Sequence, residues 1–416
     1  MLRDRNVGLL WSSSVVSAVG SGAMFVALPY YTYLTTGSVV ATALVTLAEY
    51  APTVGVAQLA GLMVDRWDPR RVLIVANVAL AACTSAYLVH EAWWWLAVVA
   101  FARSCVAQFV PPAGHTLVPA VAPPGRLAEV NGLNAIGGNI ARLTGPALGG
   151  ALLGVSGLHI VVVADAASFV TAAILVAAVR LPNPTQPTHT DGLVQLWRDG
   201  WSTVRDHPVL RPLVTVMALV GFGEGFISAL LAPWMTNIAG GNSTELGLML
   251  SLQALGGILG GLLVLRWAHR RHNLSLLCAG AIASGVLLVV IINYPLVAPV
   301  GPWPAIFLTA LAGLPFALYG TAQAIAVQEH STDGLRGRVA SLTFGVQGIA
   351  QLVGIGVAGP AASLLGPLVI NADALAYLAA GTFALRTIRR HHDNAQARPN
   401  PEHTREPSLR RRNLSR

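Results

Sequence analysis

The sequence predicts an all-α integral membrane protein, with twelve transmembrane helices in two pseudo-symmetric six-helix bundles around a central cavity. Three observations predict it. Of 416 residues, 54% are hydrophobic and only 11% charged, which is too apolar for a soluble globule. The apolar residues gather in runs long enough to cross a bilayer, whose hydrocarbon core of about 30 Å needs roughly 20 residues per helix. Finally, a charged hairpin in the first half recurs about 200 residues later in the second.

The runs lie at 8–34, 40–64, 71–89, 94–112, 127–154 and 158–180, then at 209–236, 246–268, 273–293, 303–328, 340–366 and 368–388. None alternates apolar with polar residues, which makes barrel strands a poor alternative. All 26 basic residues are arginine. Arg3 and Arg5 precede the first run, Arg66, Arg70 and Arg71 follow the second, and Arg126 follows the fourth. Arg180, Arg198, Arg205 and Arg211 flank the middle of the chain. Arg266, Arg270 and Arg271 follow the eighth run, Arg336 and Arg338 follow the tenth, and more crowd the tail. The alternate loops hold none, so the positive-inside rule puts both termini in the cytoplasm and makes the helix count even. The same placement explains the net charge of +8 without a nucleic-acid partner. Trp93, Trp94 and Trp95 read as an aromatic belt at the opposite face. Cys83, Cys105 and Cys278, scattered through apolar runs, read as packing residues rather than a disulfide or metal set. The first run is too long for a cleavable signal and is expected to remain as an anchor.

These features divide the chain into an N-terminal bundle (1–180), a cytoplasmic linker (181–208), a C-terminal bundle (209–388) and a disordered basic tail (389–416). In the linker, Leu193, Leu196, Trp197, Trp201 and Val204 recur at helical spacing and suggest an amphipathic helix on the membrane surface. The halves repeat each other at several points. Gly61 through Arg71 matches Gly261 through Arg271, with Leu265 where Asp65 stands. Gly145-Pro146 and Gly359-Pro360 are expected to interrupt the fifth and eleventh helices, and Asp165 and Asp373 occupy equivalent places in the sixth and twelfth.

Four sets of residues suggest function. The hairpin Gly61, Asp65, Arg66, Arg70 and Arg71 combines a close-approach glycine, an acid able to cap or pair with another helix, and headgroup-level arginines. On the fifth run, Gly132, Ala141, Gly145, Pro146, Gly149 and Gly150 make a smooth, bendable face. Glu49, Arg103, Arg142 and Glu224 are intramembrane charges, costly enough to imply function. The two glutamates read as sites for a proton or a cationic substrate, with the arginines as their partners. Asp165 and Asp373, being duplicated, read as structural hydrogen-bonding acids. For Gln108, Gln253, Gln323, Gln347, Gln351, Asn134 and Asn139, the cavity wall and a helix–helix bridge both stay open.

The Gly61–Arg71 hairpin resembles the loop 2–3 signature of the major facilitator superfamily, where it acts as a conformational latch. The glycine-proline set resembles that superfamily's antiporter signature, with Ala141 replacing one glycine. Arg103 resembles the arginine of its helix 4 motif, with Val106 and Gln108 where glycine and alanine are expected. From Leu10-Trp11 and Thr36-Gly37-Ser38 to Arg336-Gly337-Arg338-Val339, the chain resembles the drug:proton antiporter branch of the macrolide-efflux and enterobactin-exporter type. Two departures stand out: Pro69 interrupts the latch motif, and Ser21 stands where many relatives carry an acid. The resemblance implies a monomeric unit in a cell membrane, that of a bacterial inner membrane. It also implies export of a small amphiphile driven by the proton gradient, with no cofactor and no metal. Other readings are a lipid or other-substrate transporter of the same fold, and a membrane receptor or assembly protein that does not transport. An enzyme is not expected, because no soluble domain exists and a chain without lysine cannot form the lysine-bearing phosphate loop of nucleotide enzymes.

Overall fold

A computed structural model describes residues 4–64, 66–180, 207–267, 273–331 and 336–396, together with Leu2 and residues 201, 202, 204 and 205. Twelve long helices account for nearly all of the described residues. Helix α1 is Arg5–Thr36, N-capped by the Asp4 carboxylate and C-capped by Gly37 at φ 61°. Helix α2 is Val39–Tyr50 and Pro52–Val64, jointed at Ala51 because Pro52 cannot donate to the helical ladder. Helix α3 is Pro69–Ser85. Helix α4 is Trp93–Ala107 and Val110–Val121, jointed ahead of Pro111 and Pro112. A single 51-residue helix, Leu127–Ala177, follows, too long at about 1.5 Å per residue for one crossing. Gly157, at φ 73° and ψ −176°, breaks it into α5 (127–156) and α6 (158–177).

The second half comprises α7 (Leu210–Asn237), α8 (Ser243–Trp267), α9 (Asn273–Val297), α10 (Trp303–Glu329), α11 (Arg336–Leu365) and α12 (Asn371–Gln396). With the Leu127–Ala177 helix counted once, eleven helices are long and apolar enough to span a membrane; its break supplies the twelfth. The chain is a multi-pass membrane protein, and large apolar side chains such as Val75, Val98, Phe101, Ile174 and Leu375 lie exposed on its outer flanks.

Several local expectations change. Pro146 and Pro360 lie inside continuous helices rather than interrupting them; the neighbouring turns hold each helix together across the one missing bond. Pro69, the departure from the hairpin motif, has a structural place of its own. It is the first residue of α3, and the Asp68 carboxylate accepts from Arg70 N at 2.9 Å as the cap. The last helix runs to Gln396 rather than stopping near 388. Leu193, Leu196 and Trp197 of the linker, and the tail from residue 397, lie outside the described residues. Trp201, Ser202, Val204 and Arg205 are helical, with Val204 buried in the main core and Trp201 exposed.

The bundles meet mainly through α5 against α8 and α2 against α11. Both seams are tightest toward the ends of these helices remote from the arginine-bearing turns. A methyl group on Gly150 would lie 2.2 Å from the Ser243 carbonyl oxygen, and one on Gly247 2.3 Å from that of Pro146. The Ser243 hydroxyl donates to Gly150 O at 3.0 Å, and Ala147 N donates to the Ser251 hydroxyl at 3.0 Å. Gly359 of α11 packs against Val40 and Ala43 of α2, and the Asn237 amide of α7 donates to the Tyr33 hydroxyl of α1. At the arginine end, a methyl group on Gly61, Gly132, Gly138 or Gly261 would meet nothing within 4 Å. The two bundles are therefore clamped at the far end and parted at the arginine end.

Candidate functional site

Between the bundles lies a cavity of about 1540 Å³. Its walls come from both halves and are largely apolar. Glu49 of α2, Arg103 of α4 and Arg142 of α5 line one side; Glu224 of α7 and Asp373 of α12 line the other. Ala135, Gly138 and Asn139 extend it along α5 to the arginine end, and Ile258, Gly261 and Leu262 do so along α8.

In the N-terminal bundle, Arg103 is 7% exposed and its guanidinium pairs with Asp165 at 2.9 Å. Its nitrogens also donate to the hydroxyls of Thr84 at 3.2 Å and Ser21 at 3.3 Å, and its Cζ lies 5.5 Å from the centre of the Phe169 ring. Gly20 of α1 lets Asp165 and Ser168 of α6 approach, since any Cβ there would lie within 2.6 Å of both side chains. So the partner of Arg103 is Asp165, not Glu49 or Glu224 as expected. Glu49 stands in the cavity, near enough for the charges of this pair to act on it. Arg142 is exposed to the cavity and makes no ion pair within 4 Å among the described residues. The pairing of arginines with the two glutamates is therefore not what the structure contains, because Asp165 sits closer to Arg103.

In the C-terminal bundle, the Tyr377 hydroxyl donates to Glu224 Oε1 at 2.9 Å and the Gln347 amide to Oε2 at 3.3 Å. Gln323 in turn donates to the Gln347 carbonyl oxygen at 2.9 Å. Gly223 repeats the part of Gly20, packing against Asp373 as Gly20 packs against Asp165. The two aspartates thus share an architecture but not a partner. Asp373 is 1% exposed, and its Oδ1, like that of Asp165, accepts no hydrogen bond. Of the residues left open by sequence, Asn139, Gln253 and Gln351 line the cavity, Gln323 and Gln347 bridge helices, and Gln108 bonds back to Ser104 O.

The smooth face of α5 has two uses. Gly145 and Gly149 let α5 lie against Gly22 and Ala23 of α1, while Gly150 packs on α8 across the bundle seam. Ala141 and Pro146 are buried, and Gly132 lies open. In the charged hairpin, Asp65 lies outside the described residues. Arg66 is an exposed turn residue, and Arg71 pairs with Asp68 at 3.5 Å. Arg70 donates to Val176 O at 3.3 Å and to Ala177 O, so it caps the C-terminus of α6. Gly61 makes no close approach here, because the arginine ends of α2 and α11 stand apart. Sequence reasoning did not find Thr84 or Tyr377, and it left the Gln323–Gln347 bridge as one of two readings; the advance signal for Tyr377 was its place one helical turn after Asp373.

Two helical bundles sharing one cavity, clamped at one end and open at the other, define a membrane transporter of the alternating type. Residues 10–387 match the Major Facilitator Superfamily, and the chain belongs to that family. Macrolide efflux protein A of Streptococcus pyogenes is 25% identical over 353 residues, covering 83% of this chain and 86% of that protein. The multidrug efflux pump Tap of Mycobacterium tuberculosis is 29% identical over 385 residues, covering 86% and 88%. Among solved structures, a bacterial homologue of the iron transporter ferroportin in an inward-facing state superposes with a TM-score of 0.75 at 16% identity, covering 93% and 99%. The nucleoside transporter NupG gives 0.71 at 13% identity, covering 94% and 99%. At those identities the likeness is one of fold.

Proposed function

We propose that the protein exports a small amphiphilic compound in exchange for protons, by alternating access, from a bacterial plasma membrane with both termini in the cytoplasm. The observation that carries this reading is the shared cavity: apolar walls from both bundles, a few charged groups, and an opening at the arginine end. By the positive-inside rule that end is cytoplasmic, so the described state is loaded from inside, as an exporter requires. Each chain encloses a complete cavity and can work as a monomer. Efflux is in the names of the curated relatives, which favours export over import.

Glu49 and Glu224 are the proton carriers. Each borders the cavity without an ion pair among the described residues, so each can exchange a proton with the solvent that fills it. The Arg103–Asp165 pair is already neutral and serves as a fixed post. The test is drug movement in proteoliposomes under an imposed pH gradient, comparing Glu49→Gln, Glu224→Gln and wild type. At least one substitution is expected to abolish gradient-driven efflux while leaving downhill exchange. If both variants pump at full rate, the proton assignment is wrong. If no amphiphile in a broad panel moves, and acidifying one side changes nothing, the non-transporting reading replaces this one.

A further inference from the structure

We propose that Arg142, aided by the Asn139 amide, is the subsite for an oxyanion on the transported molecule, a carboxylate, phosphate or sulfonate group. The apolar body of that molecule then lies in the rest of the cavity. The inference rests on the transporter reading and adds a substrate class to it. Arg142 stands halfway along α5 (127–156), at the depth where a charge in a membrane is most costly. Ala135, Gly138, Asn139, Arg142 and Pro146 follow one another at helical spacing and form the cavity-facing stripe of that helix. Asn139 and Arg142 are both exposed there.

Among the described residues two arginines line the cavity, and the structure treats them differently. Arg103 is buried, and Asp165, Thr84 and Ser21 satisfy its guanidinium. Arg142 has no such partners. Glu49, Glu224 and Asp373 share the cavity with it, yet among the described residues it makes no ion pair within 4 Å and donates no side-chain hydrogen bond. A guanidinium is all donor, so these N–H groups face the solvent that fills the cavity. Glu49 and Glu224 change charge in the exchange proposed above, whereas a guanidinium keeps its own. A substrate entering the cavity displaces that water. A hydrocarbon or cationic group in its place leaves a desolvated cation unpaired, at a large cost. An oxyanion replaces the water with charge-assisted bonds, two of them in parallel where the fork meets two oxygens.

The facing wall leaves room for such a group. Gly150 lies against Ser243 and Gly247, and Ala147 N donates to the Ser251 hydroxyl. The antiparallel run of α5 and α8 therefore brings Arg142 to the level of Gln253, Ala254 and Gly257, which also line the cavity. A methyl group on Gly138 would meet nothing within 4 Å, and one on Gly257 nothing nearer than 3.8 Å. Asn139, one turn before Arg142 on the same stripe, adds an amide donor beside this space.

Binding at equilibrium, without a gradient, separates this subsite from proton coupling. Purified transporter in lipid nanodiscs is titrated with anilinonaphthalenesulfonate and with phenylnaphthylamine, the same body without the sulfonate, and empty nanodiscs supply the lipid background. Wild type is expected to bind the anion about tenfold more tightly, or better. Arg142→Gln should lose that preference, with affinity for the neutral probe kept within about twofold as evidence of an intact fold. Arg142→Lys, which keeps the charge without the fork, should recover part of it. Asn139→Leu should lower anion affinity severalfold and leave the neutral probe within about twofold. Equal binding of the two probes by wild type overturns the proposal. So does an anion preference that survives Arg142→Gln, and if only gradient-driven transport is then lost, Arg142 serves the glutamates rather than the substrate. If Arg142→Gln does not fold, an unaltered preference in Asn139→Leu overturns the proposal instead. A protein that pumps phenylnaphthylamine but shows no anion preference loses this subsite and keeps its exporter function; one that binds the anion selectively yet moves neither probe does the reverse.

Discussion

The clamp between α5 and α8 can be tested by adding one methyl group. In Gly150→Ala the new Cβ would sit 2.2 Å from Ser243 O and 3.1 Å from Gly247 Cα, both backbone atoms that cannot rotate away. Overpacking of this kind costs about 1–3 kcal/mol. The cost falls only on the state in which the far ends of the bundles touch; when they part, the methyl has room. The ratio of far-end-closed to far-end-open molecules should therefore drop by about 5–150-fold. Spin labels at Val155 and Val297, both strongly exposed at the far end, report that separation directly. A longer-distance population should appear in the variant, and turnover should fall because the loading state is depleted. Gly138→Ala is the control, since nothing lies within 4 Å of its Cβ. Unchanged distances and unchanged turnover in Gly150→Ala would refute the tight seam and the clamp built on it.

Other outcomes follow from individual contacts. Asp165→Asn strands the buried Arg103 and should lower stability by about 3–5 kcal/mol in thermal or denaturant unfolding. Asp373→Asn strands no cation and should cost far less; equal losses would show that the two aspartates are not distinguished by their partners. Arg70→Ala removes two bonds to the carbonyls ending α6 and should lower stability by about 1 kcal/mol, partly recovered by Arg70→Lys. Asp65→Asn should impair transport strongly and Leu265→Ala hardly at all, with equal transport in the two variants counting against a one-sided latch.

The helices were legible because a bilayer leaves the backbone little choice: a run of twenty apolar residues must satisfy its own hydrogen bonds, and a helix does so. Arginine in alternate loops then set the even count. Joints were harder to read. The helices are interrupted next to Pro52 and Pro111 and run on through Pro146 and Pro360, a difference that neighbouring turns decide and spacing does not record. The glycines of α5 were visible as a packing face, yet its division between α1 and α8 depends on how α5 is rotated in the bundle. Charged residues could be located but not paired. Arg103 has three carboxylates within the membrane to choose from besides Glu49, and only the approach of α6 to α1 at Gly20 selects Asp165.

Duplication explains the frame of this molecule and leaves its electrostatics to divergence. Gly20 with Asp165 and Gly223 with Asp373 are the same joint built twice, one between α1 and α6 and the other between α7 and α12. A joint that needed its aspartate only for packing would treat both copies alike. Instead one copy carries an arginine and the other a neighbouring glutamate, held by a tyrosine and a glutamine. One wall of the cavity is thereby anchored by an ion pair, and the other carries carboxyl groups without a basic partner within 4 Å among the described residues, beside the space a substrate would fill. Rocking two like-shaped halves alternates access, but coupling that motion to a gradient requires a site whose charge can change. In the exchange proposed above, Glu224 on the C-terminal wall and Glu49 across the cavity, neither with an ion pair among the described residues, are the groups whose charge changes.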